Sequence, residues 1–150
     1  YRICVKPHPE LMRYIEEFNV DSRVNILDTT VKYRDIYAES GLVVTDYSSA
    51  VLDFAYMGKP VVYTQFDSDT LYSGEHVYTK GYFDFERDGF GEVVYDLDST
   101  VDTLIEYMKN DCRMKPEYSR RAEKFFAFRD KNNCERVYDK IIELVGGHKN

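Results

Sequence analysis

Apolar positions along the chain fall into short runs divided by proline, glycine and polar breaks, and two periodicities alternate. Ile3 to Val5 reads as a strand that stops at Lys6-Pro7-His8-Pro9, where two prolines lack amide donors and stiffen the loop. From Glu10 to Phe18 the spacing is helical, with Leu11, Tyr14, Ile15 and Phe18 on one face. Val24 to Leu27 reads as a second strand. Tyr33 to Ser40 reads as a short helix closed by Gly41, in the position glycine favours after a helix. Leu42-Val43-Val44-Thr45 is the clearest strand, apolar and β-branched throughout, as expected of a strand covered on both faces. Asp46 to Ser49 then forms a turn, and a helix runs from about Ala50 to Met57 until Gly58-Lys59-Pro60 stops it. Val61 to Tyr63 is the next strand. Strand, turn, helix, glycine stop and strand make a βαβ unit, which implies parallel strands with a right-handed crossover.

Gln65 to Gly91 is a long polar and aromatic stretch of weak periodicity, and loops of that length in compact domains are usually functional. Glu92 to Tyr95 reads as a last strand. The remainder predicts helices near 100–110, 116–126 and 132–145, with a frayed tail from Gly146. There is no internal repeat. Alternating β and α elements predict an α/β fold, a doubly wound parallel sheet, in one domain spanning residues 1–150. Because Tyr1 to Val5 already reads as a strand, the chain is expected to be a segment of a longer protein that starts near a domain boundary.

Composition narrows the function. Hydrophobic residues make up 43% of the 150 residues, enough for a core, while the formal net charge of −7 argues against general nucleic-acid binding. Three separated cysteines, Cys4, Cys112 and Cys134, show no metal-binding or disulfide spacing. They are expected as small buried apolar residues in a reducing, cytoplasmic setting. No run is long and apolar enough to span a bilayer, and no signal peptide is evident.

Asp46-Tyr47-Ser48-Ser49 sits at a predicted strand-to-helix turn, on the carboxyl edge of a parallel sheet, where open α/β folds bind ligands. First-turn amides and two hydroxyls there suit a pyrophosphate. The alternative is that Asp46 or a serine only caps the helix. Lys6 and His8, also at a strand end, offer a phosphate-binding charge and either a phosphoryl hydrogen bond or a proton for a leaving group; a solvated surface loop is the alternative. Asp53 lies one helical turn beyond Ser49, where a carboxylate can accept ribose hydroxyls, unless it merely pairs with Lys59 or water. The long loop carries Asp67, Asp69, Tyr72, Glu75, Tyr82 and Asp84. Its carboxylates lack the spacing of an EF-hand, so no metal site is expected. His76 reads as an exposed loop residue. Arg120, Arg121 and Lys124 beside Phe125, Phe126 and Phe128 form either a membrane-surface face or a solvated face opposite a core stripe.

Taken in order, Lys6-Pro7-His8-Pro9, Asp35-Ile36-Tyr37, Thr45-Asp46-Tyr47-Ser48-Ser49, Asp53-Phe54, Lys59-Pro60-Val61-Val62, Tyr82-Phe83-Asp84 and Phe128-Arg129-Asp130 resemble the C-terminal part of CDP-glycerol:poly(glycerophosphate) glycerophosphotransferases. The resemblance runs from Tyr1 to about Leu144. It implies a Rossmann-like domain, the C-terminal, nucleotide-donor-binding half of a GT-B fold whose acceptor half lies elsewhere. It implies transfer of polyol phosphate from CDP-glycerol or a related CDP-polyol to a lipid-linked polyol-phosphate acceptor, with release of CMP and with no metal or cofactor. It also implies peripheral association with the inner face of the cell membrane. By motif match, His8 would be catalytic, and Lys6, Asp46, Ser48, Ser49, Asp53 and Asp84 would bind the donor. The segment Leu71 to Lys80 departs from the family's pattern. A GT-B transferase of nucleotide sugars and a non-catalytic α/β nucleotide-binding or receiver-like module are the rival readings, and the isolated 150-residue chain is expected to bind but not to turn over.

Overall fold

The structure, a computed structural model, describes residues 1–71 and 81–146. Contacts divide the chain into two compact units, Tyr1–Gly41 and Leu42–Asn150. Both are α/β with parallel sheets.

In the first unit, β1 (Ile3–Val5) and β2 (Val24–Ile26) pair in parallel, with Ile3 opposite Val24 and Val5 opposite Ile26. They are joined through a 3-10 helix at Pro9–Glu17. The helical periodicity there was legible, but the tighter winding was not. Pro9 opens the segment, Leu11 N–H bonds back to the His8 carbonyl at 2.8 Å, and the His8 side chain takes the Glu10 amide. Three-residue closures of this kind wind the chain more tightly than an α-helix. α1 (Tyr33–Glu39) follows, with Tyr37 buried. It ends at Ser40 in extended conformation, and Gly41 is not a left-handed cap, contrary to expectation: the turn out of α1 is made by ordinary extended backbone.

In the second unit, β3 (Val43–Thr45), β4 (Val61–Thr64) and β5 (Gly91–Val94) form a parallel sheet in that order. The expected βαβ unit is present: β3, α2 (Val51–Tyr56) and β4. Gly58, at φ +74°, makes the left-handed exit from α2 that the Gly58-Lys59-Pro60 signal predicts. The strand covered on both faces is not β3 but β4. Val61, Val62 and Tyr63 are at most 1% exposed, whereas Val44 in β3 is 40% exposed. The reason is position: β4 lies between two strands, β3 at one edge.

Helices flank both faces of this sheet. Alternation along β4 sends Val62 and Thr64 to one side, where Val62 packs with Val94, Leu42, Leu104 and Tyr107 and Thr64 meets Thr100 across 3.2 Å. Leu104, Tyr107 and Thr100 belong to α5 (Leu97–Lys109). α5 starts earlier than its apolar spacing suggests because Asp96 caps it, accepting from Ser99 N–H at 2.8 Å. Tyr63 points to the other side and meets Phe85 of α4 (Phe85–Asp88), ring centroids 5.2 Å apart. Phe83, Phe90, Phe125 and Phe126 continue that aromatic cluster, with centroids 5.1–5.9 Å apart. Phe126 extends it to Tyr56 of α2. Of the phenylalanines at the end of α6 (Pro116–Phe125), Phe126 is half-buried, while Phe125, although in ring contact with the cluster, stays 40% exposed. Phe128 instead lies under the Arg136 guanidinium, 3.8 Å from the ring centroid. Arg121 ties α6 to the α4–β5 turn by donating to the Glu86 and Gly89 carbonyls at 2.8 and 3.0 Å.

The long stretch after β4 is less irregular than its sequence suggests, since it holds α3 (Ser68–Leu71) and α4. Glu75 and His76, with most of the departing segment Leu71 to Lys80, lie outside the described residues, as does Tyr72. α7 (Asn133–Gly146) closes the described chain and buries none of its residues. The cysteines contradict expectation: Cys4 and Cys134 are exposed and Cys112 is half-buried. Cys4 sits on β1, all of whose residues are exposed, and Cys134 on α7; neither element gives a thiol anything to bury it. Among the described residues, no helix is long and apolar enough to cross a membrane.

Gly91 opens β5 so close to β4 that a Cβ would run into the Val61 carbonyl. Gly91→Ala is therefore expected to cost about 3 kcal/mol or more, as overpacking of backbone against backbone. Thermal melts should show it as a large fall in Tm. Gly146→Ala, where a Cβ meets open space, should change Tm little.

Candidate functional site

The carboxyl ends of β3 and β4 present two neighbouring turns. After β3 come Asp46 to Ser49; after β4 come Gln65 to Asp67. The Tyr47 hydroxyl donates to Asp67 Oδ1 at 3.0 Å and ties the two together. Tyr47 also packs edge-on against Phe85, centroids 5.8 Å apart, which places it on the Tyr63 face of the sheet. This tie was not legible in sequence. The only hint is that both turns put an acidic residue just beyond a β-branched strand.

Within the first turn the predicted residues do different things. Ser48 Oγ accepts from Ala50 N–H at 3.3 Å, and the Ser49 carbonyl accepts from Leu52 N–H at 3.0 Å. No side chain caps α2 at Ala50, so capping does not occupy Asp46. Asp46 is exposed, and its Oδ1 takes only a long bond, 3.4 Å, from Thr45 Oγ1. The Ser49 hydroxyl has no hydrogen-bond partner among the described residues and is exposed. α2 has only six residues, so hydroxyls and turn amides, rather than a long helix dipole, are what this edge offers an anion.

Asp53 is exposed on α2 and lines an open groove of about 540 Å³ with Tyr56, Phe126, Phe128, Asp130 and Asn133. The groove brings together two strings that are far apart in sequence, Asp53-Phe54 and Phe128-Arg129-Asp130. Tyr56 O–H donates to the Phe128 carbonyl at 3.5 Å, and Arg129 lies over the Tyr56 ring at 5.4 Å. Asp130 is held by Arg136, which lowers its carboxyl below the usual range. Asp53 lines the same groove, and no ion pair with another described residue holds it.

In the first unit, Lys6 donates to the Asp28 carbonyl, which uses one of the three donors of an ammonium group. Asp28 in turn is fixed by Thr30, through Oγ1 at 2.5 Å and N–H at 2.7 Å, and its carboxyl is lowered by those bonds. Asp28 was missed in sequence, because a residue that works through its carbonyl leaves no side-chain signature. His8 is exposed, and its Nδ1 accepts from Glu10 N–H at 3.3 Å. With Nδ1 as the acceptor, a neutral ring carries its proton on Nε2 and donates from there.

Asp84 is at the start of α4, which it caps by accepting from Arg87 N–H at 2.9 Å. Asp88 returns the favour by accepting from Asp84 N–H at 2.9 Å. Asp84 therefore has a structural duty as well as any contact with a ligand. Arg87 clamps Asp88 and also donates to the Tyr82 carbonyl at 2.7 Å. Among the described residues, no group of three or more His, Cys, Asp or Glu is arranged to hold a metal ion.

The family model of CDP-Glycerol:Poly(glycerophosphate) glycerophosphotransferase matches residues 1–143. The chain belongs to this family. Relatives of this glycerophosphotransferase-family chain include the Minor teichoic acid biosynthesis protein GgaB of Bacillus subtilis, 38% identical over 144 residues, 96% of this chain and 15% of that protein. The Teichoic acid poly(glycerol phosphate) polymerase of Bacillus subtilis is 26% identical over 110 residues, 73% of this chain and 14% of that protein. The Teichoic acid ribitol-phosphate polymerase TarL of Staphylococcus aureus is 24% identical over 147 residues, 91% of this chain and 24% of that protein. The chain thus spans at most about a quarter of the length of each of these relatives. The relatives' names place the family in teichoic acid biosynthesis.

The Asp84–Arg87–Asp88 knot yields a pH signature. The Asp88 carboxyl is held at about 2 instead of the ordinary 3.8, first by the Arg87 side chain and then by the Asp84 amide. The folded value is the lower one, so its contribution is complete above about pH 4 and is lost as the pH falls toward 2. Thermal melts between pH 6 and pH 2 should show that acid-sensitive component, and Asp88→Asn should remove it.

Proposed function

We propose that this chain is the nucleotide-donor-binding domain, the C-terminal half of a GT-B-type enzyme, that serves transfer of a polyol phosphate from a CDP-polyol such as CDP-glycerol. The acceptor is a hydroxyl of a growing, lipid-linked teichoic-acid-like polymer, and the enzyme works at the inner face of the membrane. An acceptor oxygen attacks the polyol-bearing phosphorus, the new P–O bond forms, the bond to the bridging oxygen breaks, and CMP departs. The protein's share of such a reaction is positioning and charge stabilisation.

The observation that carries the reading is the Asp46–Ser49 turn at the carboxyl end of a parallel strand, in a chain matched to this family over residues 1–143. Ser48 and Ser49 are assigned to the donor pyrophosphate, Asp53 to the ribose hydroxyls, and Asp46 and Asp84 to the donor's polar groups. In the other unit, Lys6 supplies charge to a phosphate. His8 donates from Nε2 to a phosphoryl oxygen and eases the departure of CMP, an assignment supported by the Glu10 bond to Nδ1. These groups supply the charge stabilisation without a divalent ion.

Calorimetric titration of the chain with CDP, UDP, CMP and CDP-glycerol, in buffer containing EDTA, tests this. Binding of the cytidine diphosphates in preference to UDP is expected, and no binding of any cytidine nucleotide would overturn the reading. Ser49→Ala removes a hydroxyl from a charged ligand, a loss of about 1.5–3 kcal/mol. It should weaken CDP binding roughly tenfold or more with Tm unchanged.

His8 is assigned to the charge that develops on the leaving group. In the full-length enzyme, His8→Ala should therefore lower kcat of polymer extension more than it raises KM. Steady-state kinetics with CDP-glycerol as the varied substrate measures the split, and an unchanged kcat would remove His8 from catalysis.

A further inference from the structure

Gln65 is the residue after β4, and its amide continues the ladder by donating to the Val94 carbonyl at 2.8 Å. Strand alternation then puts its side chain on the face of Val61 and Tyr63, opposite Thr64. Tyr47, in contact with Phe85 as Tyr63 is, lies on that same face. The Tyr47–Asp67 bond ties the turn that Gln65 opens to the Asp46–Ser49 turn. Gln65 is only 5% exposed, yet its Nε2 has no hydrogen-bond partner among the described residues. Buried polar groups are almost always satisfied, because leaving one unmade forfeits its bonds to water. A local rule broken at the ligand-binding edge of a parallel sheet marks a group held ready for something that binds there.

Resting on the donor-site reading, we propose that the Gln65 carboxamide is a further specificity-determining group of that site, donating through Nε2 to a neutral acceptor oxygen of the bound nucleoside. The chemistry points to a carbonyl or hydroxyl rather than a phosphate. A carboxamide carries no charge, and Asp67, two residues on in the same turn, supplies a carboxylate, which repels an anion. The oxygen belongs either to the pyrimidine ring or to the ribose.

Gln65→Met preserves length and removes the donor; Gln65→Glu preserves shape and replaces the donor by an acceptor. Both are titrated with CDP, ribose 5-phosphate and inorganic pyrophosphate, beside thermal melts. For both variants, CDP affinity should fall about fivefold to tenfold and pyrophosphate affinity should not change. Gln65→Met should melt no lower than the parent, because it removes an unsatisfied buried donor. Loss with CDP alone assigns the oxygen to the base; equal loss with ribose 5-phosphate assigns it to the sugar. Equal loss with pyrophosphate overturns the neutral-acceptor assignment. A parent chain that binds CDP while Gln65→Met binds it within twofold overturns the Gln65 role alone. A parent that binds no CDP overturns the donor-site reading itself. A Gln65→Met variant that melts lower and binds CDP normally makes Gln65 structural.

Discussion

The second unit depends on β4 being buried from every side. Its neighbours in the sheet, β3 and β5, satisfy its backbone, and its two faces are covered by α5 and by the aromatic cluster. Val61, Val62 and Tyr63 are almost wholly inaccessible. A strand so enclosed tolerates no extra volume, and Gly91 meets that limit where β5 passes the Val61 carbonyl. Tyr63 shows how complete the enclosure is: burial pushes its hydroxyl up to about 12, and that hydroxyl still accepts from Phe90 N–H. Because β4 cannot shift, the turns at its carboxyl end and at that of β3 are held in fixed relation, and those turns carry the proposed donor contacts.

Around this strand, polar groups work as ties between elements. Lys115 bridges Glu92 of β5 and Glu106 of α5 at 2.6 and 2.8 Å, and Tyr107 donates to the other oxygen of Glu92 at 2.7 Å. Burial pulls the Lys115 ammonium down, but its bonds to Glu106 and Glu92 outweigh that and hold it above its usual range. Glu92 is mostly enclosed, so its charge is tolerated only because it is paired. Arg121 plays the matching part on the opposite face by holding two carbonyls of the α4–β5 turn. These ties spare the exposed residues of the Asp46–Ser49 turn, whose side chains take little part in the unit's own network.

The chemistry at the two strand ends differs in kind. The Lys6–His8 loop is stiffened by proline and by the Glu10 amide, and so presents a positive charge and an oriented imidazole at low conformational cost. The Asp46–Ser49 turn presents hydroxyls. Asp53 lies beyond them on α2, in a groove whose far wall comes from the segment after α6. The chain's overall negative charge means that any phosphate contact it makes must be local.

Taken alone, the sequence determined the elements outside the stretch after β4, the parallel α/β class and the family. Each of these rests on local pattern: runs of β-branched residues, the Gly58 stop, the proline-bounded loop and the ordered strings from Lys6-Pro7-His8-Pro9 to Phe128-Arg129-Asp130. Tertiary structure decided what depends on neighbours distant along the chain. It made β4 rather than β3 the buried strand, since centrality in a sheet is a matter of pairing order. It exposed Cys4 and Cys134 and drew Phe125 and Phe126 into ring contact with Phe90. It gave Asp84 a capping duty and put Asp53 and Asp130 on one groove. It also left the Gln65 Nε2 buried with no partner among the described residues, a state no local pattern records, because burial and satisfaction are properties of what the fold brings near.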